Sequence, residues 1–183
     1  MPRASEILTV IEEASFALWQ PVFPAACADS MLLELERAAS WRPEMGGFYE
    51  LDALAGVDSF ITRYSSEFAA AAEEAHHRAC QWLKVGLTRE AGVRVHRFRS
   101  GTGAALHSDS AEAGVRLVIF LSQCESNFGG ALIFADPQTC EGRVVQAKHN
   151  LGVLFPTNSQ LQHGVTEQRH GMRYSIVFGF RFT

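Results

Sequence analysis

From Val93 to Phe182 the chain is a succession of short β-rich runs cut by turn residues, and this constrains the fold more than any other feature. Val93–Phe98, Val115–Ser122, Ala131–Phe134, Arg143–Ala147, Gly152–Phe155 and Tyr174–Phe182 are such runs. Gly101, Gly129-Gly130, Pro137, Gly142, Asn150 and Gly164 punctuate them. Many short strands with turn signals predict a sandwich or barrel. In a strand over 173–182, Arg173, Ser175, Val177 and Gly179 share one face, while Tyr174, Ile176, Phe178, Phe180 and Phe182 share the other. The second face is large and apolar and can pack under helices.

The first half reads as helical. Met31, Leu32, Leu35, Ala38 and Ala39 recur at helical spacing after Asp29 or Ser30, either of which could cap. Trp41-Arg42-Pro43 ends that helix, and Met45-Gly46-Gly47 is loop. A longer apolar stripe runs through Phe60, Ile61, Tyr64, Phe68, Ala71, Ala72, Ala75, Ala79, Trp82 and Leu83, and Gly86 ends it. A helix packed on a sheet explains it without a cofactor. With no repeat or linker, residues 1–183 read as one domain. Residues 1–89 would be mainly helical support and 90–183 the strand-rich core.

The composition, 47% hydrophobic and 20% charged, is that of a globular protein rather than a disordered or fibrous one. A net charge of -4 with no basic run argues against a nucleic-acid groove. Glu12 and Glu13 interrupt the apolar N-terminal stretch, which argues against a signal peptide or membrane span. Cys27, Cys80, Cys124 and Cys140 form no CxxC pair. They read as reduced thiols of a cytoplasmic protein, small core residues without metal spacing.

His107-Ser108-Asp109 sets an imidazole and a carboxylate two residues apart, on one face of an extended chain. His163 follows 54 residues after Asp109, within LQHGV. Two histidines and a carboxylate form a facial triad that leaves three metal positions open, which suits non-haem Fe(II). A short HxD is common by chance, and either histidine alone could be an ordinary turn or core residue. Arg173 lies ten residues after His163, on the small-residue strand face. A buried arginine needs an anion, and its fork matches a carboxylate, although a structural ion pair would also satisfy it.

The stretches RFRSGTGAALHSD, VRLVIFLS, NFGGALIF, LGVLFP, LQHGV and GMRYSIVFGF, in this order, resemble the 2-oxoglutarate- and Fe(II)-dependent oxygenases, specifically the prolyl-4-hydroxylase-like group. PVFPAACADSMLLELE is similar to the helical entry of such proteins. The resemblance implies a mainly β double-stranded β-helix, a cupin-like jelly roll with N-terminal helices packed on one sheet. It implies that His107, Asp109 and His163 hold iron, that Arg173 binds the distal carboxylate of 2-oxoglutarate, and that Ser175 assists. O₂ is then the oxidant, with ascorbate as an optional reductant. The implied reaction couples decarboxylation of 2-oxoglutarate, to succinate and CO₂, to hydroxylation of a C–H bond. Asp109 occupies the position that related halogenases leave to halide, so hydroxylation is expected over halogenation. Phe98 stands where such proteins often carry a tyrosine, which throws the anchor onto Arg173. Ala104, Ala105 and Leu106 replace an aromatic often found before the HxD.

A small molecule, such as a free amino acid or a biosynthetic intermediate, is the expected substrate. A protein or peptide side chain such as proline is the alternative. Relatives that act on nucleic acid carry a second arginine where this chain has Gly179, and neither nucleic acid nor a membrane is an expected partner. A catalytically silent cupin-like metal-binding or sensor protein is the alternative of another class, as is a metal cupin that uses no 2-oxoglutarate. Oligomeric state is not readable. His76 and His77 read as surface or packing residues, and His149 and His170 as loop residues away from any partner at metal-ligand spacing. Arg94 and His96 share a strand face with Phe98, so they enter the pocket if Phe98 does.

Overall fold

The computed structural model describes residues 7–11, 16–37, 41–43, 49–51, 66–84, 86–109, 114–135, 142–157 and 161–183. Among these lie two helices, α1 (Ala25–Arg37) and α2 (Ser66–Leu83). Twelve strands accompany them: β1 (Ile7–Ile11), β2 (Phe16–Gln20), β3 (Trp41–Pro43), β4 (Tyr49–Leu51), β5 (Leu87–Arg99), β6 (Thr102–His107), β7 (Gly114–Phe120), β8 (Leu132–Ala135), β9 (Gly142–Val145), β10 (Leu151–Thr157), β11 (Gln162–Gln168) and β12 (Met172–Phe182). Eight strands form one antiparallel sheet in the order β1-β2-β10-β7-β12-β5-β4-β3, and four form a second in the order β6-β11-β8-β9.

The two faces of β12 fall into separate cores. Tyr174, Ile176, Phe178 and Phe180 join Val115, Leu117 and Ile119 of β7 in one buried cluster, which Met31 and Leu35 of α1 and Ala75 and Ala79 of α2 complete. This is the helix-covered face. A second cluster lies between the sheets and includes Val118, Phe120, Leu132, Phe134, Val153 and Phe155. Phe16 stacks on Phe134 at 4.8 Å, and Phe134 meets Phe155 edge-on at 5.0 Å. The alternation of strand side chains thus divides the sequence between a structural core and a cavity-bearing core.

Several expectations for the first half are corrected. β1 and β2 replace helix near the N-terminus. They form a hairpin that extends the large sheet when β2 pairs with β10 through Trp19↔Gly152 and Ala17↔Leu154. Trp41–Pro43 is strand β3 rather than a helix end, and β4 attaches it to β5. α1 begins at Ala25, upstream of both proposed caps, where the carbonyl of Pro24 accepts from the backbone of Cys27 and Ala28. Two further strands, β6 and β11, were not expected. Phe182 is exposed instead of packed. The readings of Phe60, Ile61, Tyr64, the 45–47 loop and Cys140 fall outside the described residues. Cys27, Cys80 and Cys124 are free thiols, the first and last buried.

His149 has a structural role: Nδ1 contacts the carbonyl of Leu121, and Nε2 lies 3.0 Å from Asp29 Oδ1. With Asn150, whose side chain binds the backbone of Val22 and Phe23, it ties α1 to the β10 turn. His76 behaves as a packing residue, stacked on Phe180 and bonded to the carbonyl of Leu87. Among the described residues, no helix is long and apolar enough to cross a membrane.

Candidate active site

The pairing of β6 with β11 builds the candidate metal centre. His107, the last residue of β6, is the cross-strand partner of His163 on β11, with the rings 4.5 Å apart. Asp109 follows just beyond the strand end and brings its carboxylate to the same place. The ligand atoms of His107, Asp109 and His163 lie within 4.8 Å of one another, so one ion can engage all three. Gly164 allows this approach, since a Cβ there would sit 2.7 Å from the carbonyl of Ala104 on β6.

Each ligand is held by a neighbour. His107 Nδ1 lies 2.9 Å from the carbonyl of Ala105. An N–H at that position donates to the carbonyl and leaves Nε2 to present a lone pair. The ring of His163 packs at 4.9 Å from Phe155. Burial lowers the pKa of His163 to about 4; Asp109 opposes the shift, while His107 and Arg116 add to it. The imidazole is therefore neutral near pH 7, the form a metal requires. Arg116 Nε forms an ion pair of 3.2 Å with Asp109 Oδ2. Arg116 is a site residue that motif spacing does not single out. Its alternation with Val118 and Phe120 on β7 was the signal that it faces the site.

Deeper in the sandwich, Arg173 and Ser175 occupy the inner face of β12. Arg173 is 1% exposed, and its Nε and Nη1 have no hydrogen-bond partner. Its Cζ lies 4.8 Å from the ring centroids of both Phe98 and Phe120. Phe98 therefore does point inward, as a flat wall against the guanidinium. Burial lowers the Arg173 pKa to about 10, with Cys124 opposing, so it stays charged at neutral pH. Ser175 Oγ is likewise buried and unpartnered. A buried cation with unsatisfied donors between two aromatic faces fits an anionic ligand that arrives edge-on. Gly130 (φ +67°) makes room for it, because a Cβ there would collide with Gln168 Oε1 and lie 3.2 Å from Arg173 Cδ.

The five expected site residues thus fall on the same sandwich: the triad between the ends of β6 and β11, and the anion-seeking pair on β12. A jelly roll with an open two-histidine, one-carboxylate cluster and a buried arginine behind it defines the class of metal-dependent oxygenases that use a 2-oxo acid.

Residues 93–181 match the family model described as the 2OG-Fe(II) oxygenase superfamily. Similar solved structures include a prolyl hydroxylase from Trichoplax adhaerens in complex with a hypoxia inducible factor peptide (17% identity, TM-score 0.73, covering 92% of this chain and 84% of that one). A prolyl-4-hydroxylase from Pseudomonas putida matches at 17% identity and TM-score 0.71, over 93% and 94% of the two chains. HygX from Streptomyces hygroscopicus, with nickel and 2-oxoglutarate bound, matches at 15% and 0.71, over 96% and 88%. None of the curated proteins matches the sequence. Residues 93–181 thus form a 2OG-Fe(II) oxygenase domain, and the match supports a 2-oxoglutarate-dependent Fe(II) dioxygenase.

Proposed function

We propose that this protein hydroxylates a C–H bond of a small molecule, such as a free amino acid or a biosynthetic intermediate, with the whole chain acting as one catalytic unit. His107, Asp109 and His163 would hold Fe(II), and Arg173 with Ser175 would hold the distal carboxylate of 2-oxoglutarate. The observation that carries the reading is the buried, unpartnered guanidinium of Arg173 on the same sandwich as the triad. When bound, the iron and 2-oxoglutarate supply the oxidising chemistry, with release of succinate and CO₂.

The chain's own residues supply position and environment. Asp109 and the two imidazoles would supply three donors to the metal, a set that leaves coordination positions for other ligands. Arg116 holds the second carboxylate oxygen of Asp109 and so fixes its rotation. Arg173 aims the cosubstrate along β12, and Phe98 and Phe120 keep water from its carboxylate. Beyond Ser175 the inner face of β12 continues as Val177 and Gly179, small side chains that leave room for a compact substrate.

The proteins similar to this one in structure include both prolyl hydroxylases and HygX, whose structure has been determined with hygromycin B bound. The test is therefore a screen of free amino acids, small carbocyclic and sugar-like molecules, and proline-containing peptides. Succinate release and a mass gain of one oxygen are the readouts. Turnover of peptides alone would move the substrate class to a protein side chain. Failure to bind 2-oxoglutarate at all would overturn the reading.

A further inference from the structure

We propose that His96 is a binding residue for the cosubstrate, its imidazole N–H completing with Arg173 and Ser175 the cradle for the distal carboxylate of 2-oxoglutarate. The inference rests on the functional reading above and concerns a residue which that reading does not use.

The argument begins with donors. A carboxylate has about four lone-pair sites, and buried ones must be met by donors. The two walls of the Arg173 pocket, Phe98 and Phe120, offer aromatic faces and no donor. Gln168, which lies with Arg173 beside Gly130, is occupied: its Nε2 donates to the carbonyl of His170 and contacts Cys124 Sγ. Arg173 and Ser175 remain on β12. On the adjoining strand, β5, His96 is the cross-strand partner of Ser175, as Phe98 is of Arg173. Strand alternation puts His96 on the same inner face as Phe98, and the two rings meet edge-on at 6.3 Å. His96 thus stands beside both unpartnered groups.

Its ionisation supports the placement. Burial, with the positive charges of Arg173 and Arg94 acting in the same direction, lowers the pKa of His96 to about 3. The ring is therefore neutral at physiological pH and carries one N–H. A neutral donor strengthens the hold on an anion without adding a third cation to a dry pocket. An imidazole has two ring nitrogens, and this role needs only one of them.

The experiment titrates 2-oxoglutarate calorimetrically into Ni(II)-loaded protein, so no turnover is involved. Oxalate, which can chelate the metal but has no distal carboxylate, is the control ligand. His96→Phe keeps the ring and removes the N–H. It should weaken 2-oxoglutarate binding about ten- to hundredfold, the range for a hydrogen bond to a charged group, while oxalate binding and nickel content stay at wild-type values. His96→Gln retains an N–H donor and should recover most of the loss, which a purely packing role would not allow. If His96→Phe fails to fold, His96→Leu, which also lacks a donor, takes its place under the same criterion. Unchanged 2-oxoglutarate affinity in the variant would overturn the proposal, as would a parallel loss of oxalate binding. Wild-type protein that takes nickel and oxalate but not 2-oxoglutarate would overturn the functional reading itself.

Discussion

His107→Ala, Asp109→Ala and His163→Ala should each lose most bound metal and nearly all turnover while the fold survives, because the triad residues belong to neither main core cluster. Metal content after dialysis, checked against circular dichroism, measures this; full metal and activity in any one variant would remove that residue from the ligand set. Arg116→Gln leaves all three ligands in place but removes the ion pair that holds Asp109. It should weaken metal retention roughly 10- to 100-fold, the usual scale for a partner of a ligand. Arg173→Ala should raise the 2-oxoglutarate requirement by about two orders of magnitude or more, since breaking a buried charge pair costs on the order of 3–5 kcal/mol. Arg173→Lys keeps the charge without the fork and should recover part of that loss. The apparent affinity for 2-oxoglutarate in a succinate-release assay decides; a wild-type value in Arg173→Ala would reassign the anchor. At this scale the sequence was most legible where chemistry is written in residue type. The triad and Arg173 stood out from spacing, but the Arg116 ion pair needed three dimensions, because nothing in the chain order shows which carboxylate an arginine reaches.

β12 carries the most consequence among the elements. One face closes the helix-covered core and the other bears Arg173 and Ser175, so packing and binding are coupled through its register. Phe178, 1% exposed among residues of both cores' boundary strand, should cost about 3–5 kcal/mol when replaced by Ala. Denaturant unfolding would measure that loss. Gly130→Ala tests the loop before β8: a methyl group there must displace Gln168 or Arg173. It should weaken 2-oxoglutarate binding with metal content unchanged, and unaltered affinity would show that the Arg173 side chain yields freely. Apart from β6 and β11, the strands of the second half were readable because they are short β-rich runs bounded by turn residues. β1 and β2 were not, since their partners lie elsewhere: β2 is held by β10, more than 130 residues later in the chain. Local periodicity carries no record of such pairing.

For the molecule as a whole, His96 links the site to stability. Its pKa is about 3 in the folded protein against an ordinary 6.5. Above pH 6.5 it is neutral in both states and costs nothing. As pH falls below 6.5 the unfolded chain takes up a proton that the folded one refuses, so stability falls by up to ~1.4 kcal/mol per pH unit toward about pH 3. His96→Gln should flatten that slope in denaturant melts between pH 6.5 and 4; an identical slope would contradict the buried neutral imidazole. Ligands act in the opposite direction. Ni(II) with 2-oxoglutarate at 100 times its Kd should add about 2.7 kcal/mol of stability, visible as a raised Tm that chelator removes.

The order of turn signals, the alternating faces of the last strand and the HxD…H…R spacing are properties of the chain itself. They determined a β sandwich or barrel, its helix-packed face and the chemistry of its candidate ligands, because residue type and short-range period are local; the jelly roll was what the family resemblance implied. What only the tertiary structure decided was adjacency. It set His107 opposite His163 through the pairing of β6 with β11, put Arg116 against Asp109, and turned the guanidinium of Arg173 between Phe98 and Phe120 beside His96. Except for Arg116 and Asp109, which are near in sequence, these contacts join residues far apart in sequence, and their positions follow from sheet order and register, which the whole folded chain must settle together.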